Sequence, residues 1–85
     1  MNVGEAVRLR ILELCDKYDI SVNKLSNISG VTQSTVNNIV SGRNNSATVS
    51  TIKKLCDGLG ITIEEFFSSE VFRELDQEIK LSYFS

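Results

Sequence analysis

The 85-residue sequence predicts an all-α fold, in which a compact bundle of five short helices is followed by an additional C-terminal helix. Apolar residues recur every three or four positions, which is the period of a helix with one buried face. Asn, Ser or Thr precedes each periodic segment, and these residues favour helix N-termini. Glycine follows three of the segments, and no proline interrupts any of them.

The first two predicted helices are delimited by polar caps and by a glycine. Asn2 and Glu5 have the spacing of a capping box, and the periodic residues that follow end near Tyr18. Ser21 caps the second helix, and Gly30 stands where its C-terminus favours a left-handed residue. We therefore expect a first helix that ends near Tyr18 and a second of about eight residues.

The next three predicted helices have the same pattern of boundaries. Each begins after a threonine, and the third and fourth each end at a glycine. The fifth is short and carries two phenylalanines. The N-terminal caps are Thr32, Thr48 and Thr62, and the terminating glycines are Gly42 and Gly60.

Charge is segregated along the chain. The net charge is -2, but residues 1–54 hold seven basic and four acidic residues, whereas residues 55–85 hold two and seven. Between Ile20 and Lys54 there are four basic residues and no acidic one. This is the sign that a phosphate-facing surface needs. Chance segregation in a small protein is the alternative.

Several function classes are disfavoured. The sequence has no histidine, and its two cysteines are far apart, so the usual metal-ligand spacings and histidine-dependent triads cannot be assembled. We expect no catalytic residues, metal or cofactor, and we expect Cys15 and Cys56 to be reduced core thiols. No apolar run is long enough to span a bilayer, and the N-terminus lacks the apolar stretch of a signal peptide. The expected location is the cytoplasm, in association with the nucleoid.

The stretch from Ser21 to Gly42 joins two short capped helices by a tight turn at Gly30 and Val31. This spacing is typical of a helix-turn-helix, in which the second helix enters the major groove of DNA. The apolar residues of that helix are Val36, Ile39 and Val40, and its polar residues are Gln33, Ser34, Asn37, Asn38 and Ser41.

The polar residues of the third helix are unusual for a surface with no other duty. Asn and Ser each cost about 0.5 kcal/mol of helix stability relative to Ala, and better helix formers are available. Gln and Asn can make paired hydrogen bonds to adenine, and Ser can serve either member of a base pair. The pattern favours base reading, and a merely solvated polar face is the alternative.

From about residue 10 to residue 67, two-thirds of the chain, the sequence resembles the Xre/Cro family of phage repressor-type helix-turn-helix proteins. The resemblance implies that residues 1–67 form a repressor-like DNA-binding domain. It also implies that the protein binds double-stranded operator DNA and represses transcription there. The residues that carry it are Leu25, Gly30, Val31, the pattern from Thr32 to Ile39, Gly42 and the ending LCDGLGITIEEFF.

The resemblance also implies roles for individual residues. Gln33, Ser34 and Asn38 fall at base-reading positions. The positions near the backbone or the edge of the site are Thr32, Asn37 and Ser41, and the loop that touches phosphate holds Arg43, Asn44 and Asn45.

Two departures from the family pattern concern the second helix. Val22 occupies the place of a Gln that often braces the reading helix against phosphate, so Asn23 or Lys24 is expected to supply that contact. Ser26 stands where a small Ala is typical, which is sterically harmless.

The last segment, residues 68–85, predicts an amphipathic helix, because Phe72, Leu75 and Ile79 recur at helical spacing among acidic residues. One reading helix covers few base pairs, so we expect a homodimer on a palindromic operator, with this apolar stripe as its interface. The alternative is that the helix packs on its own domain. A protein-interaction module, such as an antitoxin or adaptor built on the same scaffold, remains the second functional hypothesis.

Overall fold

The computed structural model describes residues 1–43 and 47–79, and within these ranges the chain is entirely helical apart from its turns and loops. The predicted all-α fold with five α-helices is confirmed. None of the helices in these ranges is long and apolar enough to cross a membrane. The elements are α1 (Val3–Lys17), α2 (Val22–Ser29), α3 (Gln33–Val40), α4 (Val49–Leu59), α5 (Ile63–Phe66) and a 3-10 helix (Glu70–Glu74).

All five predicted N-terminal caps are confirmed. The side-chain oxygen of Asn2 accepts a hydrogen bond of 2.8 Å from the backbone N–H of Glu5, and Ser21 accepts one in the same way from Lys24. Each cap satisfies one of the N–H groups that a helix leaves without a partner in its first turn. The remaining three caps are Thr32, Thr48 and Thr62.

The helix C-termini also lie where predicted. Gly30 and Gly60 cap α2 and α4 in the left-handed conformation, with φ of +65° and +72°. Helix α1 ends at Lys17 with Tyr18 as its C-cap, and Asp19 rather than a glycine adopts the left-handed region, at φ +53°. A short polar side chain tolerates this backbone better than a bulky one does.

The core lies among α1, α2, α4 and the inner side of α3, and Phe66 of α5 is buried in it. Cys15 and Cys56 are buried in it and are not joined, so the prediction of two core thiols is confirmed. Burial raises the pKa of both thiols, which keeps them protonated near neutral pH. The largest fully buried side chains are Phe66, Ile11, Leu14, Leu25, Leu55 and Val36.

A buried arginine that sequence reasoning missed joins α1 to the end of α5. Arg10 donates from Nε to the carbonyl of Phe66 at 2.7 Å and from Nη2 to the carbonyl of Glu65 at 2.8 Å. Its Nη1 pairs with Glu13, which also accepts a hydrogen bond of 2.9 Å from Ser69. The guanidinium thus donates to two carbonyls in the last turn of α5, where a cation is favoured.

As far as residue 79, the C-terminal segment corrects the prediction of an amphipathic helix over residues 68–85; residues 80–85 lie outside the described residues. A 3-10 helix covers Glu70–Glu74, Leu75 is extended, and residues 75–79 are not helical. One reason is electrostatic, because an α-helix would place Glu70 above Glu74 and Glu74 above Glu78, and like charges at this spacing destabilise a helix.

Tertiary contacts supply the second reason. The ring of Phe72 packs on those of Phe66 and Phe67, with centroids 6.0 and 4.8 Å away. The backbone N–H of Asp76 donates to the carbonyl of Met1 at 3.0 Å, and the Met1 ammonium pairs with the Asp76 carboxylate. These contacts hold the segment against the domain. Phe72 is therefore partly buried within its own chain, whereas Leu75 and Ile79 are exposed.

Helices α2 and α4 approach closely at a glycine. A Cβ atom added to Gly58 would lie 2.3 Å from Ser29 Oγ and 2.9 Å from Ser29 Cα. The Ser29 hydroxyl is buried and has no hydrogen-bond partner among the described residues. The absence of a side chain at Gly58 is what permits this packing distance.

We predict that Gly58→Ala destabilises the fold by about 1–3 kcal/mol, although Ala is the better helix former, because α2 and α4 must move apart. Chemical denaturation measures the change, with Ser50→Ala on the exposed side of α4 as the control. Ser29→Ala in the same background should restore only part of the loss, since the contact with backbone Cα remains. A Gly58→Ala protein as stable as the wild type contradicts the close packing.

The contacts of Glu13 predict that the free energy of unfolding depends on pH in the acid range. The hydrogen bond from Ser69, aided by Arg10, lowers the pKa of Glu13 below its ordinary value of 4.5. Its contribution to stability is therefore complete above that ordinary value and is lost as pH falls through the lower pKa of the folded state. Glu13→Gln should flatten the acid side of the stability curve, whereas Glu64→Gln, at an exposed position of α5, should not. Parallel curves for wild type and Glu13→Gln would exclude this contribution.

Candidate nucleic-acid interface

The turn between α2 and α3 is held by one serine. The hydroxyl of Ser26 donates to the carbonyl of Val31, and the N–H of Val31 donates back to the carbonyl of Ser26 at 3.2 Å. Ser26 is buried, and its single O–H donor is used by this contact. Sequence reasoning treated Ser26 as sterically harmless, and the structure adds that it fixes the direction in which the chain enters α3.

The inner side of α3 binds it to the rest of the fold. Val36 and Ile39 are buried, and Val40 packs on the core from its edge. Residues four apart lie on one side of a helix, so the polar residues form two adjacent rows on the outer side. One row is Gln33, Asn37 and Ser41, and the other is Ser34 and Asn38.

Four polar side chains on these rows have no hydrogen-bond partner among the described residues. Gln33, Ser34 and Asn37 are exposed, and Asn38 is half-buried. Each can donate and accept hydrogen bonds at once. An α-helix with its side chains is about 10–12 Å in diameter, which matches the major groove width of about 12 Å, so side chains on this outer side can reach base edges.

Two further predicted contact residues are already engaged at the ends of α3. Thr32 Oγ1 accepts from the backbone N–H of Thr35 and lies 2.8 Å from its hydroxyl oxygen. Ser41 Oγ donates to the backbone carbonyl of Asn38 at 3.3 Å. Both residues remain exposed, so their hydroxyl oxygens can still accept hydrogen bonds. Thr32 does so while it caps the start of α3, and Ser41 while it caps the end.

The predicted phosphate contacts lie at the start of α2 and in the loop after α3. Val22 packs partly buried against the core, which leaves Asn23 and Lys24 exposed in the first turn of α2. Arg43 is exposed just beyond Gly42. Asn44 and Asn45 lie outside the described residues.

The positive charge near this surface is smaller than a count along the sequence indicates. Lys53 forms an ion pair with Asp57 one turn later on α4, so its charge is offset. Lys24, Arg43 and Lys54 are exposed and have no ion-pair partner among the described residues. Asp57, which follows this stretch in sequence, thus offsets one of the four basic residues between residues 20 and 54.

Together, the turn, the packed inner side of α3 and its open polar side define a helix-turn-helix DNA-binding domain. The chain belongs to the Cro/C1-type helix-turn-helix DNA-binding family, whose model matches residues 10–70. The predicted resemblance to phage repressor-type proteins is thereby confirmed.

A solved structure agrees with this assignment. The crystal structure of the prophage Lp1 protein 11 is similar to this chain, with 34% sequence identity and a TM-score of 0.75. The match covers 88% of this chain and 100% of the other. A comparison with curated proteins found no match.

Proposed function

We propose that this protein is a sequence-specific transcriptional regulator that represses by occupying operator DNA, with α3 in the major groove. The observation that carries the proposal is the outer side of α3, where a fixed turn presents four polar side chains without partners among the described residues. Such groups are costly on a surface helix, and base edges offer them matching donors and acceptors. The proposed role is binding rather than catalysis, and its place is the cytoplasm, at the nucleoid.

Within that outer side, Gln33, Ser34 and Asn38 are the proposed base readers. Gln33 and Ser34 lie in the first turn of α3, the part of a recognition helix that contacts base edges. Asn38 lies one turn beyond Ser34 on the same row, and partial burial limits its rotamers, which favours a defined hydrogen-bond direction. The proposed contacts to backbone or site edge are Asn23, Lys24, Thr32, Asn37, Ser41 and Arg43.

We further propose that the protein binds a palindromic operator as a homodimer. One α3 spans only a few base pairs, and the few exposed cations nearby give a single subunit limited phosphate affinity. Leu75 and Ile79 are exposed, so the C-terminal segment offers apolar contacts to a second copy. Phe72 is not available, because it packs on Phe66 and Phe67. A two-fold pair would place its reading helices about 34 Å apart.

The readout is tested by two matched substitutions on one helix. Asn38→Ala should cost roughly 1–3 kcal/mol on the preferred site and relax the choice at a particular base pair. Asn37→Ala removes the same group one residue away and should weaken all sequences alike. Ala is the better helix former, so neither change should unfold α3. Binding titrations against single-base operator variants separate the two effects.

Arg43→Ala serves as the electrostatic control for that experiment, because loss of a phosphate contact should weaken every duplex similarly and reduce the salt slope by about one. If the Asn38→Ala protein keeps the affinity and the base preference of the wild type, Asn38 is not a base-reading residue. Loss of preference in Asn37→Ala alone would transfer that role to Asn37.

The dimer is tested by the salt dependence of binding and by sedimentation. If two subunits neutralise about six phosphates, the logarithm of affinity should fall with the logarithm of salt at a slope near -5. Leu75→Asp combined with Ile79→Asp should abolish the two-to-one complex with operator and lower the slope to that of one subunit.

A second variant addresses another exposed apolar surface of the described residues. A groove of about 310 Å³ lies between the starts of α1 and α4, bordered by Val3, Val49 and Phe67. Val49→Asp should leave the two-to-one complex intact. If Val49→Asp abolishes that complex and the Leu75/Ile79 variant does not, the proposed C-terminal interface is wrong and the groove takes its place.

A further inference from the structure

A second arginine of α1 holds the opposite end of α3 from the turn. Nε of Arg8 donates a hydrogen bond of 2.8 Å to the carbonyl of Val40, the last residue of α3, across 32 positions of sequence. Val40 O is one of the carbonyls that a helix leaves open at its C-terminus. No carboxylate among the described residues lies within 4.0 Å of the Arg8 guanidinium, so this bond is its described polar contact.

The two arginines make α1 a brace across the fold. Residues two apart on a helix point about 200° apart around its axis, so Arg8 and Arg10 extend from opposite sides of α1. Arg10 holds the end of α5, and Arg8 holds the end of α3. Helix α3 is thereby fixed at its N-terminal end by the contacts of Ser26 with Val31 and at its C-terminal end by Arg8.

We propose that Arg8 is a positioning residue for DNA reading, whose hydrogen bond to Val40 fixes the tilt of α3 so that its polar side meets base edges in one orientation. This inference rests on the proposed function. Base recognition requires donors and acceptors within a few tenths of an ångström of ideal hydrogen-bond geometry, whereas phosphate contacts tolerate more displacement. Loss of the Arg8 contact should therefore reduce discrimination among sequences more than it reduces binding to any duplex.

Three substitutions separate the hydrogen bond from the charge. Arg8→Gln places an N–H donor at the same number of bonds from the backbone as Arg Nε but removes the charge. Arg8→Met keeps the length and removes the donor. Arg8→Lys keeps the charge and places its donor one bond farther out. The measured quantity is the ratio of dissociation constants for a scrambled duplex and for the preferred duplex, at one salt concentration.

Positioning through the hydrogen bond predicts that Arg8→Met lowers this ratio about tenfold, equivalent to about 1.4 kcal/mol, while Arg8→Gln stays within about twofold of wild type. Lys17→Met removes a charge from the same helix, and Arg10→Met lowers stability without touching α3. Both should keep the wild-type ratio at a temperature where they are folded. A ratio within about twofold of wild type in folded Arg8→Met overturns the proposal.

The opposite pattern points to a direct phosphate contact and also overturns the proposal. In that case Arg8→Lys retains affinity, Arg8→Gln loses as much as Arg8→Met, and the salt slope falls by about one. A wild-type protein that shows no preference among duplexes contradicts the proposed function itself, which is a different outcome from retained preference in Arg8→Met.

A measurement on the free wild-type protein does not depend on the folding of any variant. The Nε–H of Arg8 should exchange with solvent at least about tenfold more slowly than that of exposed Arg73, because a hydrogen-bonded group exchanges only when the bond opens. Equal exchange rates for the two Nε–H groups overturn the proposal without reference to DNA.

Discussion

Only Gly30, Val31 and Thr32 separate α2 from α3, and each of the three meets a different requirement of the turn. Gly30 supplies the left-handed backbone, Val31 is bonded through both its N–H and its carbonyl to Ser26, and Thr32 caps the next helix. A longer connection would leave the direction of α3 to its side-chain packing and to the contact of Arg8 with Val40. The orientation of the polar surface relative to the rest of the molecule depends on this turn.

A helix of eight residues is too short to be stable in isolation, so α3 owes its existence to tertiary contacts rather than to helix propensity. The buried side chains of Val36 and Ile39, the cap at Thr32 and the Arg8 contact provide them. Because stability comes from the inner side and the ends, the outer side can carry residues of low helix propensity. This division leaves the proposed base-reading residues free to be selected for hydrogen bonding rather than for the fold.

Sequence reasoning located the helices because capping and left-handed glycines act within a few residues, and these signals are strong at Thr32, Thr48 and Gly60. It also identified the polar side of α3, since the helical period fixes which residues share a side. It missed Arg8, Arg10 and Ser26, whose partners depend on tertiary arrangement rather than on local pattern. The C-terminal helix was wrong for a related reason. The spacing of Phe72, Leu75 and Ile79 was helical, but the phenylalanine cluster and the Met1–Asp76 contacts hold the segment in another conformation.

Selection of bound fragments from random duplex DNA, at one stated salt concentration, tests the central claim that α3 reads base sequence. We predict that the wild-type protein enriches a defined, two-fold symmetric motif. A protein carrying both Gln33→Ala and Asn38→Ala should still bind DNA in a salt-sensitive manner but enrich no such motif. Base reading by α3 is contradicted if the wild-type protein enriches no motif. It is also contradicted if the double variant enriches the same motif and binds it with the same affinity.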